Sequence, residues 1–78
     1  MQSLQRNPVA LVVGAAGSGG ATSARILASR GFDLICADND GRSLRAICDE
    51  VSATPAYCDV ESAASVEIFV HDIAGRLG

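Results

Sequence analysis

The sequence contains no lysine and no tryptophan, and only three of its 78 residues are aromatic. Without lysine, positive charge rests on six arginines, outnumbered by nine acidic residues, for a net charge of −3. A nucleic-acid surface needs a basic patch to neutralise phosphates, so that class of partner is not expected. The shortage of aromatics leaves Val, Ile, Leu and Ala to build the core, a composition suited to a sheet covered by helices. No apolar run approaches the roughly 20 residues of a membrane span. The run Val9–Val13 with Ala15 and Ala16, which follows Arg6, is too short and too broken by glycine to read as a signal peptide. Cysteine is sparse and odd in number. Cys36, Cys48 and Cys58 form no C-x-x-C pair, which argues against a disulfide framework or a zinc site. They read as buried thiols of a cytoplasmic protein in a reducing compartment.

What is present is globular. Hydrophobic residues make up 49% and charged residues 19%, a balance that can support one small domain of marginal stability. Residues 1–7 are polar and read as a disordered lead-in, and residues 8–78 as the domain. Val9–Val13 is a continuous apolar run, as expected of a strand covered on both faces. Ala21–Arg30 reads as a helix with Ala24, Leu27 and Ala28 inward, and Gly31 sits where a helix end favours positive φ. Asp33–Ala37 is a second strand, followed by the turn signal Asn39-Asp40-Gly41. Leu44, Ile47, Cys48 and Val51 recur at helical spacing, placing a second helix over about 42–51. A short third strand is expected around Pro55–Cys58. The last helix has the clearest stripe, Val66, Phe69, Val70, Ile73 and Leu77, with Ser62 as its cap. The order β-α-β-α-β-α predicts an α/β fold: a three-stranded parallel sheet, a partial Rossmann fold, with right-handed crossovers and helices on both faces. The first two helices share a face and the last covers the other.

The strongest chemical signal is Gly14-Ala15-Ala16-Gly17-Ser18-Gly19-Gly20, between the first strand and the first helix. A flexible connector would also be rich in glycine and serine, but this stretch stands in the strand-to-helix setting of a phosphate cradle. Gly14 can make the tight exit from the strand. Gly17 and Ser18 leave room for a pyrophosphate to reach the backbone, and Gly20 lets the helix pack close to the strand. The helix N-terminus then offers free N–H groups and a positive dipole end.

Two carboxylates downstream extend the reading. Asp38, at the end of the second strand, can accept from both hydroxyls of an adenosine ribose and would repel a 2′-phosphate, which favours NAD over NADP. Asn39 stands where an NADP site often has arginine, and Arg42 is a rival phosphate ligand or a solvated helix charge. Asp59 and Val60, after the third strand, can hold an adenine through its amine and its face. Asp59 could equally serve only to start the turn into the last helix.

These anchors, in this order and spacing, resemble the first third of a short-chain dehydrogenase/reductase, from about Pro8 to Gly78. The resemblance implies a dinucleotide partner: Gly14 to Gly20 (Gly14, Gly17, Ser18, Gly19 and Gly20 above all) on the pyrophosphate, Asp38 and Asn39 on the adenosine ribose, Asp59 and Val60 on the adenine. It departs from the commoner branch of that family at Val13, where that branch has Thr, at Ser18, where it has its second glycine, and at Gly19, where a bulky aliphatic residue is usual. The spacing is closer to the extended or atypical branches. The family continues with a fourth strand ending in an Asn-Asn-Ala-Gly motif, then a serine and a Tyr-x-x-x-Lys pair that exchange a proton with the substrate while the nicotinamide moves a hydride. None of these is in this sequence. Tyr57 is expected to be a packing residue and His71 an exposed one. By resemblance the activity is NAD(P)-dependent oxidoreduction, with this chain inactive on its own. A unit binding S-adenosylmethionine, as in methyltransferases, and a non-catalytic truncated binding module are the alternatives. With no fourth strand beside it, the edge of Val9–Val13 is expected to favour self-association.

Overall fold

The computed structural model describes residues 7–77. The expected lead-in therefore lies, apart from Asn7, outside the described residues. Three strands, β1 (Val9–Val13), β2 (Asp33–Asp38) and β3 (Thr54–Tyr57), alternate with three helices, α1 (Ser18–Ser29), α2 (Gly41–Val51) and α3 (Ala63–Leu77). The strands form one parallel sheet in the order β1-β2-β3. Val9 to Val13 pair with Asp33 to Ala37, and Ile35 to Asp38 pair with Thr54 to Tyr57. β1 and β3 are thus the sheet's edges. This is the α/β partial Rossmann fold that the alternation of patterns implies.

The local chemistry explains the boundaries. α1 begins at Ser18, three residues earlier than the apolar pattern suggests, because Ser18, Gly19 and Gly20 form its first turn and the bend proper is only Gly14–Gly17. α1 ends at Ser29, with Arg30 as its C-cap, and Gly31, with φ +86°, carries the chain away from the helix. Asp40 caps α2, its carboxylate accepting from the Ser43 N–H at 3.3 Å. Ser62 caps α3 in the same way, its hydroxyl accepting from Ser65 N–H at 3.2 Å.

The core lies on one face of the sheet. Val12, Leu34 and Cys36 meet Ala24 of α1 and Leu44, Ile47 and Cys48 of α2, all buried, with Ala15 closing the top. Ala10, Leu27, Ala28 and Val51 pack around them. Arg25 of α1 forks onto Glu50 of α2 at the surface, a pair too exposed to add much stability.

The opposite face is different. α3 buries none of its residues. Phe69 and Ile73 of its stripe are half-buried, while Val70 and Leu77 are exposed. A gap of about 290 Å³ separates Ile73 and Leu77 from Ile35, Thr54 and Ala56 of the sheet. So α3 stands over its face without seating on it, and its apolar residues are less sharply segregated from its polar ones than those of α2.

Candidate functional site

The site lies where the chain leaves the C-terminal ends of the strands. Gly14 turns out of β1 with φ +81°, a conformation that a residue with a Cβ rarely adopts. The turn is then bolted to the end of β2. Gly14 N–H and Ala15 N–H both donate to the carbonyl oxygen of Ala37, at 2.8 and 3.2 Å. Ala16 N–H donates to Oδ2 of Asp38 at 3.0 Å. Gly17 N–H donates back to the Gly14 carbonyl at 3.1 Å and closes the bend.

Gly20 explains why α1 can start so close to the strand. A Cβ at this position would collide with the carbonyl oxygen of Gly14, and would lie 2.7 Å from its carbonyl carbon and 2.8 Å from Cα of Ala15. All three are backbone atoms that cannot swing aside. Gly17 and Gly19 are not constrained in this way. Gly17 has an ordinary extended backbone, and nothing lies within 4 Å of a Cβ at Gly19. Their lack of side chains keeps the outer wall of the bend open.

The helix N-terminus that results is bare. Gly17 is its N-cap and supplies no side-chain acceptor, and the first turn carries no acidic residue. The first intrahelical bond in the series runs from Ala21 N–H to Gly17 O, at 2.8 Å. The amides of Ser18, Gly19 and Gly20 precede it and have no place in the helix ladder. Gly17, Ser18 and Gly19 are exposed. The nearby hydroxyls do not intrude, since Thr22 and Ser23 turn theirs back onto the carbonyls of Ser18 and Gly19. Three unpaired donors and the positive end of a 12-residue helix form a site that fits an anionic group.

The carboxylates beside it depart in part from the sequence reading. Asp38 stands next to the bend, as expected, but its side chain is turned inward and only 6% exposed. Besides Ala16 N–H on Oδ2, it takes Asn39 N–H at 2.7 Å and Asp40 N–H at 3.2 Å on Oδ1. An ionised carboxylate offers about four lone-pair positions, so roughly one is left. Asn39 itself is exposed at the mouth.

Asp59 follows β3 on the same edge of the sheet, whose end is tied to β2 by Cys58 N–H on the Asp38 carbonyl at 3.2 Å. It is exposed, and its Oδ1 accepts Glu61 N–H at 3.1 Å, so it does start the turn toward α3. It also lines a cavity of about 410 Å³ with Tyr57, Cys58, Ser65, Phe69 and Asp72. Val60 is half-buried beside it.

Tyr57 corrects the expectation of a packing residue. It is 63% exposed, and its ring lies across Gly41 at the start of α2. Its register partner is Asp38, so the ring belongs to the rim of the site. The alternation of β3 carried the signal: Pro55 and Tyr57 face the same side as Asp38, and both are exposed on this edge strand. His71, on α3, is exposed as expected.

Among the described residues no helix is long and apolar enough to cross a membrane. No protein-family model matches the sequence, and no curated protein matches it. Solved structures do. One is a single-site variant of the actinorhodin polyketide ketoreductase with NADPH, at TM-score 0.73 and 29% identity, covering 90% of this chain and 29% of that one. Another is a metagenomic short-chain oxidoreductase in complex with NADP, at TM-score 0.72 and 27% identity, covering 88% of this chain and 34% of that one. The chain thus spans about a third of the length of each. Over nearly all of its own length, this chain is similar in fold to part of these two nucleotide-bound reductases, one of them a short-chain oxidoreductase.

Proposed function

We propose that the chain binds a nicotinamide dinucleotide and serves as the cofactor-holding part of an oxidoreductase. The observation that carries this is the bare N-terminus of α1, open to solvent and fixed beside Asp38 at the strand ends. In this reading the amides of Ser18, Gly19 and Gly20 grip the pyrophosphate, with Gly14 and Gly17 shaping the approach. Asp38 and Asn39 border the ribose, and Asp59 and Val60 the adenine. The chain contributes binding and orientation. The sequence has no lysine and so no Tyr-x-x-x-Lys pair to handle a proton.

The preference for NAD expected from Asp38 has little support. Its oxygens are mostly spent on backbone amides, and both solved neighbours described above hold the phosphorylated cofactor. We therefore favour NADP over NAD, with Arg42, exposed on the first turn of α2, as the side chain available to a 2′-phosphate.

Calorimetric titration of the 78-residue chain with NADP, NAD and S-adenosylmethionine tests both points. NADP is expected to bind at least as tightly as NAD, and S-adenosylmethionine not to bind. Binding of S-adenosylmethionine alone would overturn the dinucleotide reading. NAD binding roughly tenfold tighter than NADP, a difference of about 1.4 kcal/mol, would restore Asp38 as a selector against the phosphate.

A further inference from the structure

Asp38 is the only buried charged side chain among the described residues, and no arginine there forms an ion pair with it. A buried carboxylate is costly unless something replaces its hydration. Here three backbone N–H groups do so, as charge-assisted hydrogen bonds. Two of them, from Asn39 and Asp40, are local and belong to the turn that Asp38 begins. The third comes from Ala16, 22 residues away in sequence, in the middle of the glycine bend.

That third bond has a mechanical consequence. The bend is built from residues with few backbone restraints, Gly14 and Gly17 within it and Gly19 and Gly20 just after. Gly14 and Ala15 are held by the Ala37 carbonyl, and Gly17 by the carbonyl of Gly14. Ala16 lies between these anchors, and its one described partner is Asp38. It is also the last amide fixed to β2 before the three unpaired amides of α1. The Asp38 carboxylate thus sets where those donors point relative to the sheet.

We propose that Asp38 is a positioning residue for the phosphate-binding bend, acting through Ala16, and that it is not a ligand that spends both oxygens on the ribose. The inference rests on the reading of α1 as the pyrophosphate site. It separates two roles that a dinucleotide titration would confuse. A ribose ligand matters only to molecules that carry ribose. A residue that orders the bend matters equally to a bare anion.

The test uses the whole 78-residue chain with its backbone nitrogens labelled, as wild type, Asp38→Asn and Asp38→Ala, with inorganic pyrophosphate and adenosine as separate probes. In the wild type, the Ala16 amide is expected to exchange with solvent much more slowly than that of Gly19. Asp38→Ala should accelerate that exchange and weaken pyrophosphate binding by roughly tenfold or more, the scale of one hydrogen bond to a charged group. Asp38→Asn keeps a carbonyl oxygen that can still accept from Ala16, so it should restore part of both. Unchanged pyrophosphate affinity in Asp38→Ala, with only adenosine affected, would overturn the proposal. If Asp38→Ala does not fold, the wild type and Asp38→Asn decide: an Ala16 amide as labile as that of Gly19 in the wild type refutes the clamp. If the wild type binds neither pyrophosphate nor a dinucleotide, the functional reading falls. Slow exchange at Ala16 that quickens in Asp38→Asn would still uphold the clamp.

Discussion

The two faces of the sheet draw on similar side chains and reach different states. On one face, α1 and α2 bury Ala24, Leu44, Ile47 and Cys48 against Val12, Leu34 and Cys36. On the other, α3 carries an apolar stripe that is less sharply set off from its polar side than that of α2, and it buries nothing. α1 and α2 each run between two strands of the sheet, so both of their ends are fixed to it. α3 leaves β3 and meets no further strand among the described residues. Small residues add to the contrast. Gly20 lets the start of α1 lie against the backbone of Gly14 and Ala15 just after β1, and Ala24 is fully buried, whereas a gap lies between Ile73 and Leu77 of α3 and the sheet. Apolar periodicity tells which side of a helix wants cover. Closeness depends on what ties the helix down and on how little bulk lies in between.

The harshest way to break this comparison is Gly20→Ala. The added methyl meets the backbone of Gly14 and Ala15, and α1 must shift outward to admit it. Overpacking against atoms that cannot repack costs about 3 kcal/mol or more, a large share of a small domain's total stability. The expected outcome is loss of the cooperative urea transition followed by circular dichroism. Gly19→Ala, one residue away in the same motif, should do the reverse. Open space surrounds that position, and replacing a helical glycine gains roughly 0.5–1 kcal/mol. A wild-type-like midpoint for Gly20→Ala would mean that α1 does not approach β1 as closely as described.

These opposite signs show what could be read without coordinates. The strand-bend-helix order and the role of Gly20 follow from spacing alone, because a helix that begins at a strand's end must pass close to it. The bounds of β1 and the inward set Ala24, Leu27 and Ala28 follow from pattern. The start of α1 did not, because glycines at a helix N-terminus look like loop. The inward turn of Asp38 did not either. It depends on where the Ala16 amide falls once β1 and β2 pair in register, and that is a tertiary fact. Tyr57 is exposed on the edge strand β3, with its ring over Gly41 at the start of α2, again a matter of register between distant segments.

A milder pair of substitutions sharpens the contrast between the faces. Leu44 is fully buried on α2, and Leu44→Ala should cost about 2–5 kcal/mol through lost burial and the cavity left behind. Ile68 on α3 is 71% exposed, and Ile68→Ala should move stability by no more than about 0.5 kcal/mol. Native-state hydrogen exchange gives the same comparison without mutation. Amides of α3 should exchange through local opening well before those of β2 and α2. Equal protection in α3 and α2, or a cost at Ile68 approaching that at Leu44, would show that α3 seats firmly and that the two faces are alike.

The smallest of these effects isolates the packed face by pH. Cys36 on β2 is fully buried and lies against Cys48 of α2. Burial pushes its thiol from about 9.0 up to about 11, with the neighbouring Cys48 adding to the rise. Burial also raises Cys48. A raised thiol means that the folded chain holds the proton more tightly than the unfolded chain does. This contribution to stability is therefore complete below pH 9 and is lost as the pH climbs toward 11. The urea midpoint should be unaffected by these thiols between pH 7 and 8.5 and should then fall across the alkaline window, less steeply in Cys36→Ala. The same physics keeps the thiols unreactive, since the attacking species is the thiolate. An aromatic disulfide reagent at pH 8 should label Cys36 and Cys48 only as fast as the chain unfolds. Rapid labelling of either in the native protein would place that thiol at the surface, and the packed face would no longer differ from the one under α3.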